Sequence, residues 1–378
     1  MPRFLALTSR GLLEPLAEEI QELGVRRAKA RPDAVELECS WAELYRLHFH
    51  TRLASRFFLP VSDFTAYNEE DLYYGILRKY DFTNQILPSQ TFRIEAHTRD
   101  HVKLRDQRFV AMKVKDAVAD QFRNKFGERP SVGDEETADL RVVVRIVETK
   151  VSVAIDLTGD SLAHRGYRRF AGEAPLRENV AAGLLRLAKW APGQALVDPF
   201  CGSGTILIEA ALVASGASAL PRRRTFGFER LRGFQPEAFA EARAPSTRKA
   251  PPAKPFLFGY DRDPQVLDKA RANARAAGVE NWILFQQRDV RDLKAPTSVE
   301  PGLIITNPPY GERLENLEAV RQLMSDYSSV LKNQFKGWTA WMLSGNPEAS
   351  EALRLKASRR APVWNGPIEC RFLSYPLR

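Results

Sequence analysis

Cysteine is scarce: three residues in 378, Cys39, Cys201 and Cys370. An odd number in no metal-ligand spacing excludes a disulfide framework and a zinc site, so no metal is expected. Long apolar runs are missing too. Stretches such as residues 210–214 are far too short to cross a bilayer. The first seven residues turn charged by Glu14, without the apolar stretch of a secretory leader. A soluble cytoplasmic protein with no membrane partner is expected. With 44% hydrophobic and 27% charged residues the chain is neither disordered nor fibrous, and its length suits two or three domains.

Basic charge is absent in excess from the first half and concentrated in the second. Residues 1–160 hold 24 of the 56 Lys/Arg and 26 of the 47 Asp/Glu, a net −2, which leaves +11 for residues 161–378. A pI near 9.5 suits a nucleic-acid partner, because Lys and Arg displace counterions from phosphates. A composition bias toward Arg gives the same number.

Periodicity divides the chain at the same place. Residues 4–7, 35–39 and 90–96 read as strands, 12–23 and 108–126 as helices, and 139–147 with 150–156 as a hairpin. Ser40 is placed to cap a helix over 41–47. This predicts small α+β modules. From residue 176 the order becomes helix 176–190, strand 195–198, helix 206–214, strand 256–260, helix 264–278, then strands 283–287 and 303–306. That alternation predicts a doubly wound parallel sheet with ligands at the carboxyl ends of its strands. Residues 216–255 interrupt it with a Pro/Arg-rich insertion too long for an ordinary connection. Between 221 and 254, nine Lys/Arg face three Glu, so this insertion is a candidate RNA contact.

Chemistry gathers at the predicted strand ends. Asp198-Pro199-Phe200-Cys201-Gly202-Ser203-Gly204 follows an apolar strand and opens a helix, where glycines admit a ligand to free N–H groups. A P-loop is excluded because no Gly-Lys-Ser/Thr follows, and the dinucleotide fingerprint lacks its third glycine at Leu207. Asp261 ends the next strand, positioned for ribose hydroxyls, and Asp289 follows the one after, positioned for an adenine amine. Each alone would read as a cap. Three consecutive strand ends bearing such groups point to one nucleoside site. Asn307-Pro308-Pro309-Tyr310 lies on the same edge. Prolines remove N–H donors, so the Asn307 side-chain oxygen and the Pro308 carbonyl can both accept from one exocyclic amine, while Tyr310 offers a face for a flipped base.

With these motifs the chain resembles the class I S-adenosylmethionine-dependent methyltransferases, and more narrowly the RlmL/YpsC group of THUMP-containing RNA guanine-N2 methyltransferases. The resemblance also rests on Gly159-Asp160-Ser161-Leu162, His164-Arg165-Gly166-Tyr167-Arg168, Ala174-Pro175-Leu176-Arg177-Glu178-Asn179, Arg288-Asp289-Val290-Arg291-Asp292 and Asn365-Gly366-Pro367-Ile368-Glu369-Cys370-Arg371. It is dense from residue 159 onward and only architectural before. It implies a ferredoxin-like segment over 1–60, a THUMP RNA-binding domain over 61–160 and a Rossmann-like methyltransferase domain over 161–378. Cofactor contacts are implied for Pro175, Asn179, Asp198, Phe200, Gly202, Gly204, Asp261 and Asp289, and catalytic roles for Asn307, Pro308 and Tyr310. Longer members carry a second methyltransferase domain after the first; no second activity of that sort is expected here.

The implied activity is transfer of a methyl group from S-adenosylmethionine to guanosine N2 in RNA. The 23S ribosomal RNA is the preferred partner, tRNA the second, and the enzyme is expected to be a monomer. The rivals are adenine-N6 methylation of DNA, glutamine methylation of a protein, and an RNA-binding assembly factor without turnover.

Overall fold

A computed structural model describes residues 1–134, 137–168, 176–220, 225–243, 248–309 and 317–378. In the first half, apolar–polar alternation sets which strand faces are covered. Leu140, Val142, Val144 and Ile146 are buried while their neighbours face outward. Eight strands form one sheet: β1 (Arg3–Leu7), β2 (Ala28–Ala30), β3 (Val35–Glu38), β4 (Arg56–Thr65), β5 (Thr91–Arg99), β6 (Ser131–Val132), β7 (Leu140–Val147) and β8 (Lys150–Asp156), in the order β2-β3-β1-β4-β8-β7-β5-β6. Helices α1 (Leu13–Glu22), α2 (Trp41–His50), α3 (Glu69–Lys79) and α4 (Gln107–Phe126) cover it. Ser40 caps α2 in a reciprocal capping box with Glu43.

One strand, β4, was not evident from periodicity, and it changes how the half is organised. It continues through residue 60, with a register shift against β8 between Pro60 and Ser62, pairs with β1 on one side and β8 on the other, and so joins the two expected modules through one sheet. Two separate sheets would each have left an exposed edge there.

The second half builds the expected Rossmann-like α/β domain. Helix α5 (Glu178–Leu187) leads into β9 (Leu196–Asp198), α6 (Thr205–Ala214), α7 (Pro236–Ala242), β10 (Leu257–Asp261), α8 (Pro264–Ala277), β11 (Ile283–Gln287) and β12 (Leu303–Thr306). Then come α9 (Leu317–Gln334), β13 (Thr339–Ser344), α10 (Pro347–Ala352), β14 (Arg359–Asn365) and β15 (Ile368–Pro376). The sheet order is β11-β10-β9-β12-β13-β15-β14. Leu196 and Ile305 pack toward α5, α6 and α8, whereas Val197 and Ile304 pack toward α9 and α10, so both sheet faces are apolar and covered. The sheet is not wholly parallel, as the alternation had predicted. β15 runs antiparallel to both β13 and β14, because the short turn at Gly366-Pro367 allows only a hairpin.

The insertion also differs from expectation. Phe226, Phe228, Phe234 and Phe239 dock against Tyr45, His48 and Phe49 of α2, within the core of the first half. Phe228 donates its N–H to the Leu157 carbonyl, Arg232 its N–H to Gln85, and the Arg230 guanidinium bonds the Ala138 carbonyl. The described part is therefore a clasp between halves, driven by aromatic burial. Arg222, Arg223 and Arg224 lie outside the described residues. Several basic residues of the first half are paired locally: Arg99 with Asp100, Lys113 with Glu69, Lys115 with Asp116, Arg123 with Asp120 and Lys125 with Asp81.

Candidate functional site

Strand order fixes where a ligand can sit. From β9 the chain crosses to β10 on one side, while β12 flanks β9 on the other, so the crevice at their carboxyl ends is a topological switch point. Asp198 ends β9, and Asn307 follows β12 immediately.

The glycine loop is held open over this edge. Gly202 and Gly204 have φ of +53° and +82°, which side chains other than glycine adopt at a cost. A Cβ on Gly202 would meet no atom within 4 Å, whereas one on Gly204 would press on Phe285 and Ala270 at 3.1 and 3.2 Å. Gly202 thus faces free space, and Gly204 lets α6 start close to the sheet. Asp261 accepts the Gly202 N–H at 3.1 Å, and Cys201 donates its N–H to the Tyr260 carbonyl, so β10 pins the loop.

Asp198 is buried and accepts from Thr306 Oγ1 at 2.7 Å and from the Phe200 N–H at 3.2 Å. Burial pushes its carboxyl up to about 7, and these hydrogen bonds oppose the rise. The ordinary carboxyl of the unfolded chain ionises near 3.8, so stability contributed here is lost as pH rises between those values. The loss reaches up to about 4 kcal/mol in that window. Asp198→Asn keeps an acceptor for Thr306 without titrating. Denaturation from acid to neutral pH should show the variant gaining on the wild type as pH rises; a constant difference would mean the carboxyl titrates alike in the folded and unfolded chain.

Thr306 was not singled out from sequence. A hydroxyl at the last position of an otherwise apolar strand was the available signal. Phe200 packs edge-on against Tyr327 at 5.2 Å and borders the same loop. Cys201 is buried and desolvation pushes its thiol well up, which disfavours the thiolate a nucleophile needs.

Asp289 follows β11 on the same edge. Its carboxylate takes the Arg291 backbone N–H at 3.0 Å and both guanidinium nitrogens at 2.8 Å, which holds it ionised with a pKa down to about 2. Asn307 is different. Its side-chain oxygen is buried and has no hydrogen-bond partner among the described residues. An orphaned acceptor costs about 1–3 kcal/mol, so it needs an explanation, and an absent donor ligand supplies one. Pro308 and Pro309 follow; Tyr310 and Pro175 lie outside the described residues.

Asn179 is buried on α5, and its amide turns to the first half, donating weakly to Ser9 Oγ and the Leu53 carbonyl at 3.4 Å. It therefore lines the junction between halves rather than the glycine loop. Beneath that junction lies a buried ionic cluster: Arg165 and Glu209 pair at 3.5 Å with both side chains fully buried, and the Tyr167 hydroxyl donates to Glu209. Arg168 extends it, bonding Glu178, the Leu176 carbonyl and Thr205 at the start of α6. Among the described residues no three His, Cys, Asp or Glu side chains form a metal cluster, and no helix is long and apolar enough to cross a membrane.

Residues 165–374 match the family described as RMKL-like, methyltransferase domain. Residues 66–156 match the THUMP domain, and residues 3–58 the RlmL ferredoxin-like domain. A Vibrio campbellii protein named ribosomal RNA large subunit methyltransferase K/L is 37% identical over 381 residues, covering 100% of this chain and 54% of that protein. The chain spans about half the length of the curated relatives it matches. Among solved structures, one described as a possible methylase from Clostridium difficile 630 superposes with a TM-score of 0.87 and 29% identity, covering 100% of this chain and 98% of the other. SMU.472, described only as a methyltransferase complexed with SAH, superposes with a TM-score of 0.87 and 25% identity at the same coverage.

Proposed function

The chain belongs to the RMKL-like methyltransferase family, and from that premise we propose that it methylates guanosine N2 in large-subunit ribosomal RNA with S-adenosylmethionine as donor. The observation that carries the reading is the buried Asn307 oxygen, without a partner among the described residues, at the end of the strand beside Asp198 and its glycine loop. The open space over Gly202 and the acids at the neighbouring strand ends fit the cofactor. When bound, the cofactor supplies an electrophilic methyl group.

Asp198, Phe200, Gly202 and Gly204 border its methionine part, Asp261 its ribose and Asp289 its adenine. Arg291 fills both acceptor positions of Asp289 Oδ1 and one of Oδ2, so Oδ2 keeps a lone pair for an amine. Asn307 and Pro308 accept the two N–H bonds of the target amine and aim its lone pair. Tyr310 stacks the base, and Pro175 closes the cofactor edge. Catalysis is then mainly positional, and no strong general base is needed. Residues 1–60 form the ferredoxin-like module, 61–160 the THUMP module and 161–378 the catalytic one. The protein works as a cytoplasmic monomer.

Labelled-methyl transfer to bacterial RNA and DNA, followed by nucleoside analysis, tests this. N2-methylguanosine in large-subunit ribosomal RNA is expected. N6-methyladenosine, or label in DNA alone, would reject the guanine assignment.

A further inference from the structure

A crevice of about 430 Å³ opens where the two halves meet. Thr8, Ser9, Arg10 and Ser55 line it from the first half, Ser161 and Ala163 from the connecting segment, and Arg177, Asn179, Trp364, Gly366 and Pro367 from the catalytic domain. None of Asp198, Gly202, Gly204, Asp261, Asp289 or Asn307 borders it.

Its position is set by strand direction. β14 runs parallel to β12, since β15 is antiparallel to both β13 and β14 and β13 is parallel to β12. The turn after Asn365 therefore lies on the same sheet edge as Asn307. The walls are firmly joined. Trp364 donates its N–H to the Arg10 carbonyl, and Arg177 its N–H to Asn365 Oδ1. A Cβ on Gly11 (φ +87°) would sit 2.0 Å from the Pro362 oxygen, so the loop after Arg10 lies flush on β14.

The lining chemistry is one-sided. Arg10 and Arg177 are exposed and make no ion pair with any described residue, and the Arg177 guanidinium lies across Gly366 at 3.5 Å from a Cβ placed there. No carboxylate lines the crevice among the described residues. Four hydroxyl side chains offer further donors. Asn179, about 1% exposed, contributes an oxygen with no hydrogen-bond partner among the described residues. Trp364 is half-buried and lines the crevice with the rest of these residues. Two unpaired guanidiniums, a ring and one buried amide oxygen suit an anionic group joined to a planar one that carries an N–H, which is a nucleotide.

We propose that this crevice is an RNA subsite that holds one nucleotide flanking the methylated base. Its phosphate lies against Arg10 and Arg177, its base against Trp364, and a base N–H reaches Asn179. This rests on the RNA reading above. A flanking nucleotide held between the halves would set the register of the strand over Asn307 without touching the cofactor.

The test uses the full chain and an in vitro transcript of large-subunit ribosomal RNA. Arg10→Ala and Arg177→Ala should each weaken transcript binding about tenfold and flatten the log–log salt slope by roughly 0.7–0.9. Affinity for S-adenosylhomocysteine and the thermal midpoint should not move, since neither guanidinium holds the walls together. Arg177→Lys should retain the slope. An unaltered slope and affinity in the double variant would overturn the subsite. So would a fall in S-adenosylhomocysteine affinity, which would assign the crevice to the cofactor. Guanosine monophosphate separates the other source of the same chemistry: tight binding of it with an unchanged RNA slope would assign a free nucleotide instead. A wild type that neither binds nor methylates RNA, while still binding S-adenosylhomocysteine, would reject the RNA reading and the subsite with it.

Discussion

Asn307→Ala is expected to lose methyl transfer by about 10²- to 10³-fold in kcat, the scale on which removing one aligned hydrogen-bonding group costs an enzyme. The fold should not suffer. The Asn307 oxygen has no partner among the described residues, so its removal breaks no described bond and relieves a buried acceptor worth about 1–3 kcal/mol. Thermal stability should hold or rise while activity falls, the pattern of a site that spends stability on function. S-adenosylhomocysteine affinity should change little if, as proposed, Asn307 serves the acceptor amine and not the cofactor. Asn307→Asp keeps an acceptor at the same place and should retain part of the rate. A full rate in Asn307→Ala would make the motif a structural turn.

The largest stability effect is expected at Glu209. Its carboxylate is fully buried beside Arg165, and the Tyr167 hydroxyl donates to it. Arg52, also buried, spends its guanidinium on the carbonyls of Leu212 and Ala217 and is drawn electrostatically to Glu209. Desolvation pushes the Glu209 carboxyl up and the Arg52 guanidinium down, with the opposite charges resisting both shifts. Glu209→Ala would leave two buried cations without their carboxylate, which costs about 3–5 kcal/mol. Glu209→Gln keeps the shape and an acceptor for Tyr167, and should cost less. Calorimetric unfolding of the three proteins checks the order. Equal midpoints would mean that water reaches the guanidiniums and the cluster is not dry.

That cluster was only half legible in the sequence. The run from His164 to Arg168 stood out as concentrated positive charge, but nothing local indicated that Arg165 would be buried against a glutamate on α6. Such pairing depends on two segments meeting in space, and periodicity carries no information about that. The insertion shows the same limit. Its arginines suggested a free RNA-facing loop, yet spaced phenylalanines bury more apolar surface than a solvated loop could leave exposed, and they set its course.

Determined by the sequence itself were the elements and motifs governed by neighbours along the chain. Alternating apolar residues marked β7 and β8, a continuous apolar run marked β12, Ser40 with Glu43 capped α2, and glycines with positive φ opened the loop after Asp198. These follow from backbone sterics and short-range hydrogen bonds, so a few residues suffice. Decided only in the tertiary structure were the passage of β4 through both first-half modules, the Thr306–Asp198 bond, the turning of Asn179 to the junction, and the crevice lined by Arg10, Arg177 and Trp364. Each needs groups far apart in sequence to come within a few ångströms. Burial then shifts the Asp198 carboxyl and leaves the Asn307 oxygen without a partner among the described residues, because desolvation depends on a group's surroundings in space and not on its neighbours in the chain.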